Sequence, residues 1–299
     1  MSAQATPSAA PLAGPVPARR PHRRRPDPVA LLALPAFAYL AAAYGWPLLV
    51  LLGRSLWGPD GISLAPFAQF LSDPFSWRVI GNTVRTALLV TLVCLLAGYP
   101  AAVALARARG AEQGLLLLSV ILPLSVGVVV KAYAWQIVLR RDGVVSQALV
   151  GLGIWDAPQR LLFTEAGLVI GAANVFLPFM ILPIYSVIRQ IDPRLGEAAA
   201  TLGASPLRRF LAVTLPLTLP GIVSGIAFVF SLAVSMYVVP SLVIGDRYQT
   251  LATLTGRAFL FLRDERLGST TAVLLLAVAL AIVVGSTALA RRLGGGGSA

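Results

Sequence analysis

Six runs of apolar residues, each close to the ~20 that cross a hydrocarbon core as a helix, leave this chain few folds. They cover residues 29–52, 86–106, 115–139, 167–188, 219–239 and 271–289, and the only charged side chain within them is Lys131. Lipid offers a peptide group no hydrogen-bond partner, so such runs must satisfy their own backbone as helices. Composition agrees. Hydrophobic residues are 57% of the 299 and charged residues 12%, about half the charged share of a soluble domain, and the mean hydropathy is +0.82. The expected fold is an all-α polytopic membrane protein with six transmembrane helices in a domain covering residues 28–292.

An even number of crossings puts both termini on one side, and the arginines indicate which. Arg19, Arg20, Arg23, Arg24 and Arg25 precede the first run, Arg107 and Arg109 lie between the second and third, and Arg291 and Arg292 follow the last. With Arg189, Arg194, Arg208 and Arg209, the termini side holds 13 of the 23 arginines. Basic residues close to the spans set orientation, so both termini are expected in the cytoplasm and the chain in a bacterial inner membrane. Only four of the 12 acids, Asp27, Glu112, Asp192 and Glu197, fall on that side. The arginines sit between apolar runs and form no continuous stripe, which argues against nucleic-acid binding. Trp46, Trp57, Trp77, Trp135 and Trp155 lie toward the outer ends, where an interfacial belt is expected. Residues 1–27, rich in Pro, Ala and Arg, read as a disordered basic tail, and 293–299 as a flexible Gly-rich tail. The three outer loops are long enough for short helices on the membrane surface.

Enzymatic chemistry is excluded mainly by what is missing. The single histidine, His22, lies in the N-terminal tail, so neither a His-based general base nor a His metal site is available. Cys94 has no histidine to pair with and reads as a small residue inside an apolar run. A phosphate-binding loop needs G-x-x-x-x-G-K-[ST], yet the only lysine, Lys131, stands in VGVVVKAYAW. No cofactor is expected. If ATP drives this protein, another chain must bind it.

The segment EAAATLGASPLRRFLAVTLPLTLPGI, residues 197–222, is the most specific part of the chain. Asp192-Pro193 supplies an N-cap acceptor followed by proline at the first helical position. Gly203 suits a left-handed C-terminal cap, and Ser205-Pro206 repeats the start signal. The expected result is a short helix, a tight turn and a second helix re-entering the membrane. Ala198, Ala199 and Ala200 make a small flat face with Glu197 at its edge, where another chain's groove could approach. An amphipathic helix that merely links two spans is the alternative.

At these residues the sequence resembles the permease subunits of binding-protein-dependent ABC importers, marked by a cytoplasmic E-A-A, then G, then I-x-L-P. Glu197-Ala198-Ala199 precedes Gly203, and Val213, Thr214, Leu215 and Pro216 follow, with valine where isoleucine is usual. The resemblance covers most of the chain after Asn82. It looks nearest the spermidine/putrescine type in KAYAW (131–135), LPFMILPIY (177–185) and IDPRLGEAAATLGAS (191–205). It implies a type I importer fold and ATPase coupling through Glu197, Ala198, Ala199, Gly203, Ser205, Pro206, Leu215 and Pro216. The implied partners are ABC ATPase subunits, a second and different permease, an extracytoplasmic solute-binding protein and the lipid bilayer. Polyamine is the leading cargo, with amino-acid-like, phosphonate and metal-chelate solutes as alternatives. The chain departs from that subgroup at Met236, where an acid often precedes the aromatic.

Candidate path residues are Lys131, Tyr133, Trp135, Met236 and Tyr237. Lys131 could line the path, or could snorkel to the outer headgroups. Two other classes compete. An ATPase-independent secondary transporter or channel normally needs intramembrane ionisable residues or an inverted repeat. A membrane scaffold would leave the capped, alanine-faced segment unexplained.

Overall fold

The computed structural model describes residues 28–58 and 61–294, and the chain divides between Leu49 and Val50 into two units. The expected tail at 1–27 and residues 295–299 of the one expected at 293–299 lie outside the described residues, whereas Leu293 and Gly294 belong to the last helix. α1 (Pro28–Leu56) carries no charge from Val29 to Gly53 and holds Pro35 and Pro47 within its length. Its residues up to Leu49 are the described part of the first unit.

In the second unit a two-residue antiparallel pair, β1 (Trp57–Gly58) and β2 (Gly61–Ile62), leads into α2 (Ala65–Ser72). α3 (Pro74–Arg107) follows directly, started by Asp73, whose Oδ1 accepts from Phe75 N at 2.8 Å. Next come α4 (Gly110–Ile121), α5 (Val128–Val138), α6 (Val144–Gly151) and α7 (Glu165–Ile188). Then α8 (Pro193–Thr201), α9 (Pro206–Arg209), α10 (Leu215–Ser235), α11 (Val238–Val243), α12 (Leu251–Arg257) and α13 (Glu265–Gly294) complete the described chain.

Among the described residues five helices are long and apolar enough to cross a membrane: the part of α1 from Leu34, α3, α7, the continuous stretch Pro206–Ser235, and α13. The sixth expected crossing is not one straight helix over 115–139. α4 and α5 meet at 101°, through a 3₁₀ turn at Leu122–Ser125 and an extended link at Val126 and Gly127. Pro123 lacks the N–H that would continue the α4 ladder, and extended Val126 and Gly127 complete the break. Taken as one broken span, the pair makes six. The fifth run also differs from expectation. Its helix ends at Ser235 because Met236 adopts an extended backbone (φ −67°, ψ 128°), which places Met236 and Tyr237 in a break rather than inside a span.

The centre is a three-helix junction of α3, α7 and α10. Apolar lipid gives helices little hydrophobic reason to associate, so close van der Waals approach must hold them. Met180 of α7 is fully buried and is the wedge. A Cβ added at Gly98 of α3 would lie 3.0 Å from its Cγ, and one at Gly225 of α10 would lie 2.7 Å from its Sδ. Glycine at both positions is what lets the backbones close around the thioether.

The three loops expected outside do contain short helices, α2, α6 and α12, but α12 does not lie on the surface. Leu251 and Leu254 are buried with Phe70 and Val79 in a second small core. Hydroxyls stitch this region: Thr83 Oγ1 accepts from Leu251 N at 2.8 Å, and Thr255 Oγ1 donates to Thr271 Oγ1 at 2.9 Å.

Candidate functional site

The α8 segment folds as local chemistry dictates. Asp192 Oδ1 accepts from Arg194 N at 2.9 Å and Pro193 occupies the first turn. At the other end Gly203 takes φ +77°, with Gly203 N donating to Ala200 O and Ala204 N to Ala199 O. These two bonds form the paired closure that satisfies the last carbonyls of a helix. Ser205 Oγ then accepts from Arg208 N at 3.3 Å, starting α9 with Pro206 in its first turn.

Between α9 and α10 the helix widens. Leu215 N donates to Phe210 O, an i→i−5 bond, across a π-turn at Phe210–Thr214. Pro216 and Pro220 lie just beyond; each lacks an N–H and would crowd the carbonyl four residues earlier in a regular helix. The wide turn relieves the first of these conflicts. This feature was absent from the sequence expectation, although the two prolines were its signal.

α8 buries none of its residues. Glu197 and Ala198 are exposed and Ala199 is half-buried. Among the described residues the Glu197 carboxylate has no hydrogen bond or ion pair, whereas Asp73, Glu165, Asp246, Asp264 and Glu265, near the opposite ends of the helices, are engaged in pairs or caps. Leu202 and Leu207 flank the turn at 87% and 67% exposure. A free carboxylate beside exposed leucines and small alanines is a surface built for contact with another molecule.

The path candidates do not form one cluster. Lys131 is buried, 9% exposed, which disfavours snorkelling to the headgroups. Trp135 lies one turn along the same face of α5, whereas Tyr133 is exposed on another. Trp135 is not a free interfacial residue: its Nε1 donates to Asn174 Oδ1 of α7 at 3.2 Å. Trp135 and Val239 meet over Gly171, where an added Cβ would touch both at 3.7 Å. Met236 is buried, and the ring of Tyr237 fills the space left by Gly256. Tyr237 also lines a cavity of about 390 Å³ with Ser241, Asp246, Gln249 and Arg257. There Arg257 Nη1 stands 3.7 Å from Asp246 Oδ1, beyond hydrogen-bonding distance. Asn174 was missed in the sequence although it is a polar residue in an apolar run; Asp246 was missed because nothing local ties it to Tyr237.

A polar network joins the N-terminal parts of α3 and α7 to the segment before α12. Arg85 Nη2 lies 2.8 Å from Glu165 Oε2. The Tyr248 hydroxyl lies 3.0 Å from Thr86 Oγ1 and 3.3 Å from Glu165 Oε1. Asn82 Nδ2 donates to Gln249 O at 3.1 Å. Burial pushes the Tyr248 phenol above its ordinary pKa, and the neighbouring Glu165 charge adds to the shift.

Comparison with known proteins places this architecture. Residues 157–293 match the family model described as binding-protein-dependent transport system inner membrane component. The spermidine/putrescine transport system permease protein PotB of Escherichia coli (strain K12) is 34% identical over 235 residues, which is 77% of this chain and 86% of the relative. Among solved structures, a bacterial ABC transporter involved in import of the acidic polysaccharide alginate superimposes with a TM-score of 0.72. It has 18% identity and covers 88% of this chain and 95% of the other. A second structure of an alginate ABC transporter, in complex with an alginate pentasaccharide-bound periplasmic protein, gives a TM-score of 0.67 at 19% identity, over 89% and 94%.

Proposed function

Because the chain belongs to the inner membrane components of binding-protein-dependent transport systems, and is a permease subunit of an ABC importer with the type I fold, we propose that it moves a polyamine and receives work from a partner ATPase at α8. The relatives of this subunit are permeases rather than enzymes, and ATP hydrolysis belongs to a separate subunit of such systems. An ATPase-independent transporter or channel is thereby set aside.

The observation that carries the coupling assignment is α8 itself: a helix closed at both ends by its own caps, with a partnerless carboxylate and exposed apolar side chains. Rigid ends let a short helix transmit displacement without unravelling. The unbroken run from Pro206 to Ser235 would carry that displacement into the bundle. Glu197, Ala198 and Ala199 form the contact face, Gly203, Ser205 and Pro206 fix the turn, and Leu215 and Pro216 begin the transmitting helix. This assignment puts α8 and both termini on the cytoplasmic side, in keeping with the arginines around it.

The cargo assignment rests on the similarity to spermidine/putrescine permeases, and the chemistry near Tyr237 is compatible with it. A polycation crossing without an acid in the spans needs aromatic faces and acceptors at the mouth. Tyr237 supplies the first, and the loosely paired Asp246 a carboxylate. A second, different permease would complete the path, and an extracytoplasmic binding protein would deliver the solute.

Reconstitution of the chain with its ATPase, second permease and binding protein in proteoliposomes tests both parts. We expect ATP-dependent uptake of putrescine or spermidine, and loss of uptake with continued binding-protein delivery in Glu197→Ala. Uptake of neither amine would overturn the cargo assignment. Unchanged uptake in Glu197→Ala would overturn the coupling assignment.

A further inference from the structure

An apolar slot lies on the outside of α3 at the end from which α8 projects. Tyr99, Val103 and Arg107 follow one another at successive turns of that helix, with Pro100 and Ala104 beside them, and Phe210 forms the opposite wall. The slot measures about 330 Å³, and the eight helical steps from Tyr99 to Arg107 at ~1.5 Å each make it roughly 12 Å long. Pro100, Ala104 and Arg107 are exposed along it.

Its walls are fixed. The rings of Tyr99 and Phe210 meet edge to face, with centroids 5.8 Å apart and planes at 78°. The Tyr99 hydroxyl lies 3.2 Å from Thr218 Oγ1 of α10. Phe210 is the first residue of the π-turn, so the widening that relieves Pro216 also sets the position of this ring.

Charge is asymmetric along the slot. Only its terminal residue, Arg107, is charged, and Arg107 closes the last turn of α3. Among the described residues Arg107 has no ion pair and no side-chain hydrogen bond; the ion pairs there involve Arg54, Arg85 and Arg257, all on the other side. Arg209, next to Phe210, buries its Nε without a partner. A second, separate polar group at the same end therefore also lacks an anion.

We propose that this slot holds one anionic phospholipid of the cytoplasmic leaflet, with an acyl chain between α3 and Phe210 and its phosphate on Arg107. Apolar lining that ends in an unpaired guanidinium at the membrane boundary matches an amphiphile whose charged end is negative; a basic pocket on the cytoplasmic face of a bundle selects acidic headgroups on this ground. The occupant bears on coupling, because Phe210 joins α9 to the transmitting helix. The proposal rests on the cytoplasmic placement of α8 stated above.

The test is native mass spectrometry of the full importer complex released into detergent with phosphatidylglycerol or phosphatidylcholine. One phosphatidylglycerol is expected to stay bound to the wild type in preference to phosphatidylcholine. Arg107→Gln should weaken retention about fivefold, the worth of one basic residue at an anionic membrane surface, and Arg107→Lys should restore most of it. Val103→Trp, which fills the slot and keeps the charge, should exclude the lipid, so the test survives a failure of Arg107→Gln to fold. Equal retention of the two lipids, no effect of either substitution, displacement by millimolar inorganic phosphate, or a slot occupied by a partner chain in the complex would each overturn the proposal. Retention does not depend on transport, so failure of the lipid site is separable from failure of the coupling assignment. The latter is checked by labelling a cysteine introduced at Leu202 from the cytoplasmic side.

Discussion

The two ends of this protein are held by different kinds of bond. Within α8 and the turn after it, order is local: Asp192 caps a helix two residues on, Gly203 closes the same helix, and Ser205 starts the next; long-range ties at this end, such as Tyr99 to Thr218 across 119 residues, lie beyond that segment. At the opposite end, order is long-range. Glu165 reaches Tyr248 across 83 residues, Thr86 reaches the same hydroxyl across 162, and Asn82 reaches Gln249 across 167. An end built from local caps can move as a unit without losing its internal bonds, whereas an end cross-linked between helices resists any separation of those helices. One end is suited to receiving a push and the other to fixing the mouth of a path.

The largest expected effect falls on the locally ordered end. Glu197→Ala should reduce ATP-driven transport at least about tenfold, since one charge-assisted bond to a partner contributes roughly 1.5–3 kcal/mol. Among the described residues the carboxylate has no hydrogen bond or ion pair, so the melting temperature should shift by less than about 2 °C. Activity and stability measured on the same preparation check this; a parallel fall in both would show that Glu197 supports the fold instead. Next comes Gly203→Ala. A side chain at φ +77° costs about 1–2 kcal/mol. Hydrogen exchange should accelerate at the amides of Leu202, Gly203 and Ala204 and remain unchanged at Leu251, whose N–H is held by Thr83 at the far end.

The same contrast explains what could be read from the chain. Proline, glycine and capping side chains act over three or four residues, so the helix–turn–helix at 192–209 was legible down to its caps. The spans were legible as apolar runs, because lipid permits few other backbones. The 101° break between α4 and α5 was not. Pro123 announces a kink, but its angle depends on where α5 packs against α11 and α7, and Gln136 Nε2 donating to Leu242 O over 106 residues is part of that. The burial of Lys131 was not legible for the same reason: counting along a straight helix cannot register a turn. The outer network left no periodic trace, being assembled from single polar residues far apart in sequence.

The outer network yields the smaller predictions. Tyr248→Phe keeps the ring and deletes the hydroxyl shared by Thr86 and Glu165, at an expected cost of about 1 kcal/mol, seen as faster exchange at Leu251 with transport coupling intact. Glu165→Gln should cost less, because Arg85 is 68% exposed and solvent-screened pairs contribute little. Accelerated exchange at α8 in either variant would contradict the separation of the two ends.

The last prediction concerns pH. Burial raises the Tyr248 phenol above its unfolded value of 10.0, and the Glu165 charge acts in the same direction, against Thr86 and Arg85. A group whose folded pKa is raised contributes stability that is present in full below the unfolded pKa and is lost as pH rises through the folded one. The difference in melting temperature between wild type and Tyr248→Phe should therefore be constant through neutral and mildly alkaline pH. Above about pH 10 it should close, as the wild type is driven to form a phenolate beside a carboxylate. A gap that stays constant to pH 11 would mean that the hydroxyl is in contact with water, and that the outer end is less tightly closed than its hydrogen bonds require.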